Sequence, residues 1–297
     1  LSIDLESIAV ASTGIIGVEL PMARMRKYIP KIELSKNDGA GFARSILTTD
    51  KRTKEIAVSF DHEGSEITVA GVAKGSGMIH PNMATMLSFI TSDISIDETT
   101  LREVLTLSVN KSFNQISVDG DQSTNDTVLA MTNGEAQNKK ITSLENASVF
   151  QEAMDQVCIF LAKEIAKDGE GNTRLIEASI LGAKTWQDAR KAARFIVSSN
   201  LVKTAVYGRD PNWGRIMMAV GASQIELDDS KIEIFVNDIQ IVADGISTPY
   251  NHQSVVIAMN QPTIRLKVNL NIGKESSKAW GSELTEEYVV FNSAYTT

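Results

Sequence analysis

Hairpin signals and helical periods alternate along this chain, and that alternation most constrains its fold. Ile56 to Phe60 and Ile67 to Val72 are β runs flanking a polar loop, Asp61 to Glu66, that carries Gly64. That arrangement predicts a hairpin. Ile232 to Ile241 predicts a second one around Asn237-Asp238. Helical runs lie between them. Leu101, Val104, Leu105 and Val109 recur at helical spacing within 99–113, with Thr99 and Thr100 available as caps. The strongest helix is 147–167, where Phe150, Met154, Val157, Cys158, Leu161 and Ile165 share one face. It should stop at Asp168-Gly169-Glu170-Gly171. Trp186 to Ser199 predicts another helix, with Ala189, Ala192, Ala193 and Ile196 inward. Ile264 to Leu270 alternates as a half-buried strand. Ser7 to Ala11 reads as a buried strand stopped by Ser12-Thr13-Gly14, and Tyr288 to Phe291 as a last strand. Frequent hairpins among helices predict an α/β layered fold with mixed or antiparallel sheets flanked by helices, rather than a doubly wound parallel one. Repeats, low-complexity tracts and linkers are missing. The polar stretch 132–146 is the best place for a domain boundary.

Composition narrows the function classes. Hydrophobic residues make up 42% and charged residues 22%, enough apolar material for a real core, which excludes a disordered chain. Against 29 Lys and Arg stand 37 Asp and Glu, a net charge of −8. With no basic stripe, nucleic acid is excluded as the main partner. The longest apolar runs fall well short of the roughly 18 residues a membrane span needs. The single cysteine, Cys158, excludes an internal disulfide framework and reads as a core residue. A reducing, intracellular compartment follows, read as the cytoplasm, with an organelle matrix left open. The chain opens on Leu1, almost at once in a strand-like run, and is read as lacking an upstream segment.

Three stretches look unlike ordinary structure. In Ala73 to Leu87, a lysine sits beside two glycines, yet Lys74 precedes them, against the order a phosphate loop requires. His80 lacks ligand spacing with His62 or His252, so zinc is not expected. Ser117 to Thr127 places carboxylates at 119, 121 and 126 but misses the calcium-loop pattern, leaving a turn network of hydroxyls and carboxylates as the plainer reading. Gly208 to Arg215 sets two arginines around Trp213. It is either a structural loop with an internal ion pair or a contact for an anionic substrate.

The run Met78 to Leu87 resembles the ornithine acetyltransferase family, the bifunctional glutamate N-acetyltransferases of arginine biosynthesis. Ala11 to Gly17, Thr48-Thr49-Asp50, Ser117 to Thr127, Asp168 to Gly171, Gly208 to Arg215 and Asn292 to Thr297 resemble further family motifs in family order. Together they span essentially the whole chain. The resemblance implies a self-processing fold of the N-terminal-nucleophile type, cut between Ala84 and Thr85. Residues 1–84 would then form one chain and 85–297 a second beginning with the nucleophile. It implies Thr85 as nucleophile and, through its freed α-amine, as base. It implies Thr13 and Gly14 as the oxyanion hole. Lys74 would meet a substrate carboxylate and Glu170 the ornithine ammonium, with Thr48, Asn292 and Thr297 adding hydrogen bonds. The implied substrates are N-acetylornithine and glutamate, in a ping-pong cycle without metal or bound cofactor, with acetyl-CoA as an additional acetyl donor in bifunctional members. The implied assembly is a heterotetramer of two α and two β chains, or larger. Two alternatives share parts of this pattern: a self-activated threonine amidohydrolase or aminopeptidase, and an inactive truncated relative.

Overall fold

A computed structural model describes residues 4–33, 38–82 and 86–294. The chain runs through α1 (Met22–Tyr28), α2 (Gly39–Ser45), β1 (Lys54–His62), β2 (Ser65–Lys74) and β3 (Leu87–Ser92). It continues with α3 (Glu98–Lys111), β4 (Ile116–Ser117), β5 (Thr127–Thr132), α4 (Ser148–Lys167) and β6 (Leu175–Ala183). Then come α5 (Trp186–Ser198), α6 (Asn200–Gly208), α7 (Trp213–Ala222), β7 (Glu233–Val236), β8 (Ile239–Ala243) and β9 (Ile246–Ser247). The last elements are α8 (His252–Ala258), β10 (Thr263–Asn269), β11 (Glu275–Ser282) and α9 (Glu286–Ala294).

Both expected hairpins form. In the first, Lys54 lies opposite Ala73 and His62 opposite Ser65. Its two-residue turn places Glu63 (φ 52°) and Gly64 (φ 84°) in the left-handed region, as a twist-matched hairpin turn demands. The second turns at Asn237 (φ 45°) and Asp238 (φ 70°), between β7 and β8. β1, β2, β3 and β5 make one sheet, antiparallel except for the parallel β3–β5 pair. The other sheet is ordered β4-β11-β6-β10-β7-β8-β9 and is also mixed.

Strand alternation decides the layering. Ile67, Val69 and Ala73 project from β2 into a core shared with Val157, Leu161 and Ile165 of α4. Lys163 of α4 reaches Glu177 on one face of β6, while Ile176, Ala178 and Ile180 point the other way, into a second core with Ala189, Ala193 and Ile196 of α5. The order is therefore sheet, α4 layer, sheet, α5 layer, the mixed α/β class expected. Cys158 is buried in the first core, where burial pushes its thiol far above the usual range. Ile141, within 132–146, is buried in the same core. Asp97 caps α3, accepting the Thr100 N–H, in place of Thr99 or Thr100.

Two expected strands are different in the structure. Ser7 to Ala11 is a 3-10 turn over Leu5–Ser7 followed by irregular backbone, with Ile8 46% and Val10 82% exposed. Among the described residues no strand pairs with it, and an apolar alternation without a ladder partner does not make a strand. Tyr288 to Phe291 lies within α9. Glu286 and Glu287 favour the start of a helix at that point, and the β preference of two valines is too weak to override it.

Candidate active site

The site forms where β2 ends, α4 stops and α9 crosses. Lys74 closes β2 with 2% of its surface exposed. Its Nζ lies 3.9 Å from Asp50 Oδ2. Asp50 Oδ1 is held by Lys54 Nζ (2.7 Å) and the Gly75 N–H (2.6 Å). Lys54 is itself buried and also pairs with Asp168 Oδ2 at 2.7 Å. Burial alone would raise the Asp50 carboxyl, but Lys54 and the Gly75 N–H outweigh it and hold it below the usual range. Burial pulls Lys74 below the usual lysine range, against the opposing charge of Asp50.

Asp168 ends α4, and the turn after it presents Glu170. The Glu170 N–H donates to the Ser76 carbonyl (3.1 Å). Its carboxylate, in a residue only 6% exposed, accepts from Asn292 Nδ2 of α9 (2.9 Å). A Cβ at Gly77 would stand 2.5 Å from the Glu170 carboxylate, so the glycine lets that carboxylate take this position without shifting. The loop after β4 closes the far side. Asp119 accepts the N–H groups of Met78 (2.7 Å) and Ile79 (2.9 Å), while burial raises its carboxyl above the usual range. Lys203 of α6 donates to the Val118 carbonyl beneath this loop.

Burial lowers Lys203 to about 8, with Asp119 opposing. The depressed folded value makes its charge a penalty that persists at lower pH and is relieved as pH climbs from about 8 towards the unfolded value. Stability from this group should therefore rise across that window. Denaturant titrations at pH 7.5 and 9.5 should show this gain in the wild type and lose it in Lys203→Met.

These elements enclose a cavity of about 430 Å³. Thr13, Gly14, Thr48, Lys74, Glu170 and Asn292, each singled out from sequence, all line it. Ala84, Thr85 and Thr297 lie outside the described residues. Asp119, Asp121, Gln122, Asn125 and Tyr288 also line the cavity, and sequence reasoning did not assign them there. The signal was present: the 117–127 stretch stood out for its carboxylates and hydroxyls, but nothing in its spacing said that it faces a site. Among the described residues, no three His, Cys, Asp or Glu side chains converge as metal ligands. No described helix is long and apolar enough to cross a membrane.

The other singled-out groups have structural surroundings. His80 Nδ1 lies 3.0 Å from Ser117 Oγ. Burial, with Arg194 and Lys203 nearby, lowers its pKa to about 4, so it is neutral at pH 7. In 208–215, Arg209 ends α6 at φ 57°, Asn212 caps α7, and Arg215 Nη1 donates to the Leu201 carbonyl (2.9 Å). Asp210 accepts from Asn212 Nδ2 (3.0 Å), so this loop is hydrogen-bonded and none of it lines the cavity. A wider hollow of about 580 Å³ lies on the outer face of the first sheet. Phe42, Ile56, Val72, Phe89 and Met131 make it largely apolar, and it lacks the converging charges of the smaller cavity.

Among the described residues, the cavity thus offers one buried cation and several carboxylates, a charge pattern suited to a small molecule carrying both signs, such as an amino acid. The arginine biosynthesis bifunctional protein ArgJ of Oceanobacillus iheyensis is 46% identical across the whole of this chain and 73% of its own length. That of Dehalococcoides mccartyi is 44% identical, over the whole of this chain and 74% of its own length. The crystal structure of the ArgJ bifunctional protein from Bacillus halodurans superimposes with a TM-score of 0.68 at 41% identity, covering 70% of this chain and 98% of that one. The pattern defining the ArgJ family matches residues 1–297, and the chain belongs to the ArgJ family.

Proposed function

We propose that this protein is an acetyltransferase of arginine biosynthesis that moves the acetyl group of N-acetylornithine to glutamate through an acetyl-Thr85 intermediate. The observation that carries this reading is the burial of Lys74 and Glu170, opposite charges, on one cavity that also holds Thr13 and Gly14. A buried lysine suits a substrate carboxylate, and a buried glutamate suits a substrate ammonium. The names of the relatives, arginine biosynthesis bifunctional protein, support the pathway.

The nucleophile is made first. The Thr85 hydroxyl attacks the Ala84 carbonyl. The Ala84–Thr85 C–N bond breaks as the C–O bond forms, and the hydroxyl proton goes to the departing nitrogen. Water then opens the ester, leaving a carboxyl on Ala84 and a free hydroxyl and α-amine on Thr85. An α-amine titrates near 7.7–8.0, so it can take the hydroxyl proton near neutral pH. Thr85 Oγ next attacks the acetyl carbonyl of N-acetylornithine, and ornithine leaves with the returned proton. Thr13 Oγ and the Gly14 N–H stabilise the oxyanion in this step. Glutamate reverses the sequence and departs as N-acetylglutamate. Acetyl-CoA serves as a second acetyl donor, with no bound cofactor. The cleaved chains assemble as a heterotetramer in the cytoplasm.

Incubating the full-length gene product with N-acetylornithine and glutamate should yield N-acetylglutamate and ornithine in equal amounts. Release of acetate instead would make water the acceptor and turn the reading to an amidohydrolase. Lys74→Met should raise KM for N-acetylornithine by about 100-fold, with a smaller change in kcat, because it removes a buried charge partner of the substrate. An unchanged KM would remove Lys74 from the binding site.

A further inference from the structure

The chain is gripped at 80–81 and at 86, upstream and downstream of the Ala84–Thr85 bond, by side chains that the cycle above does not use. Upstream, Arg194 of α5 reaches across from the second core. Its Nη2 donates to the carbonyls of His80 (3.0 Å) and Pro81 (2.7 Å). Downstream, Asp126 Oδ1 accepts the Met86 N–H at 2.8 Å, and the Thr127 N–H donates to the Met86 carbonyl at 3.0 Å. Met86 directly follows Thr85. The grip on Met86 therefore lies one residue from the scissile bond.

Neither grip is fully matched by its surroundings. Among the described residues, Arg194 Nε is buried without a hydrogen-bond partner, and so is Asp126 Oδ2. Burial lowers Arg194 to about 10, with Arg190 adding to the effect, and raises Asp126 to about 7 against the Met86 N–H and Lys74. Buried polar atoms without partners are rare enough to need a reason.

We propose that Arg194 and Asp126 are positioning residues that hold the two sides of the Ala84–Thr85 bond in the geometry self-cleavage requires. Arg194 and Asp126 fix the chain at 80–81 and again at 86, one grip on each side of the scissile bond. An intramolecular attack gains from such restraint of its two flanks, because the entropy of bringing hydroxyl and carbonyl together is lost in advance. This inference rests on the self-cleaving reading.

The test follows the appearance of cleaved chains in the full-length gene product, by intact mass over time, alongside a thermal melt of each variant. Asp126→Ala and Arg194→Met should each slow cleavage by about 100-fold while the folded protein still melts cooperatively. Asp126→Asn should restore the rate to within about threefold of wild type, because the amide oxygen still accepts the Met86 N–H. A purely structural role would lower the melting temperature and leave the cleavage rate of the folded fraction unmoved. Should Asp126→Ala not fold, Asp126→Glu keeps the charge, displaces the acceptor by one methylene and carries the same expected slowing. Folded Asp126→Ala and Arg194→Met proteins that cleave at the wild-type rate would overturn the inference. A wild-type protein that stays uncleaved would instead bring down the self-cleaving reading, and the inference with it.

Discussion

Thr85→Ala should abolish both self-cleavage and acetyl transfer, the latter by at least about 10⁴-fold. Both losses have one cause. The hydroxyl that attacks the Ala84 carbonyl is the one that later carries the acetyl group, and the α-amine that serves as its base exists only after cleavage. Thr85→Ser should keep both reactions, because it retains hydroxyl and amine. The contrast between the two variants, followed by fragment mass and by N-acetylglutamate formation, separates a catalytic threonine from one that merely packs. A Thr85→Ala protein that still transfers acetyl groups would move the nucleophile elsewhere.

The second large effect is on stability. Lys54 is buried between Asp50 and Asp168, 2.7 Å from each. Lys54→Met would leave two buried carboxylates without their shared cation, a loss of about 3–5 kcal/mol. The melting temperature should fall by roughly 10 °C. The site should suffer as well, because Asp50 would lose the partner that holds it beside Lys74. The double replacement Lys54→Met with Asp50→Asn should recover part of the lost stability, since it removes one stranded charge. Equal melting temperatures for the wild type and Lys54→Met would show that this cluster contributes nothing measurable.

Much of this architecture was legible wherever one face of an element is buried. The α4 stripe from Phe150 to Ile165 and the β1–β2 hairpin read directly from apolar spacing, because burial imposes a period of 3.6 or 2 on the side chains. The failures were at segments whose state depends on partners far away in sequence. Ile8 and Val10 alternate like strand residues yet remain exposed, and Val289 and Val290 sit in a helix despite their β preference. The site divides along the same line. Thr13, Gly14, Thr48, Lys74, Glu170 and Asn292 were assembled by family resemblance, and the fold brings these six to one cavity. By local pattern alone, Lys74 and Glu170 look like solvated surface charges. Their burial depends on Asp50, Asn292 and the missing side chain of Gly77, separated from them by up to 122 residues. Asp126 stood out only as one carboxylate of the 117–127 stretch and Arg194 not at all, since their partners are backbone groups 40 and 113–114 positions away.

The most direct test of the central claim is an intact-mass spectrum of the purified, denatured full-length gene product. Two species should appear, the one from the C-terminal side having the mass of a chain that begins at Thr85, with no uncleaved chain remaining. A single species at the uncleaved mass, or cleavage at another bond, would contradict a self-activated threonine at this position.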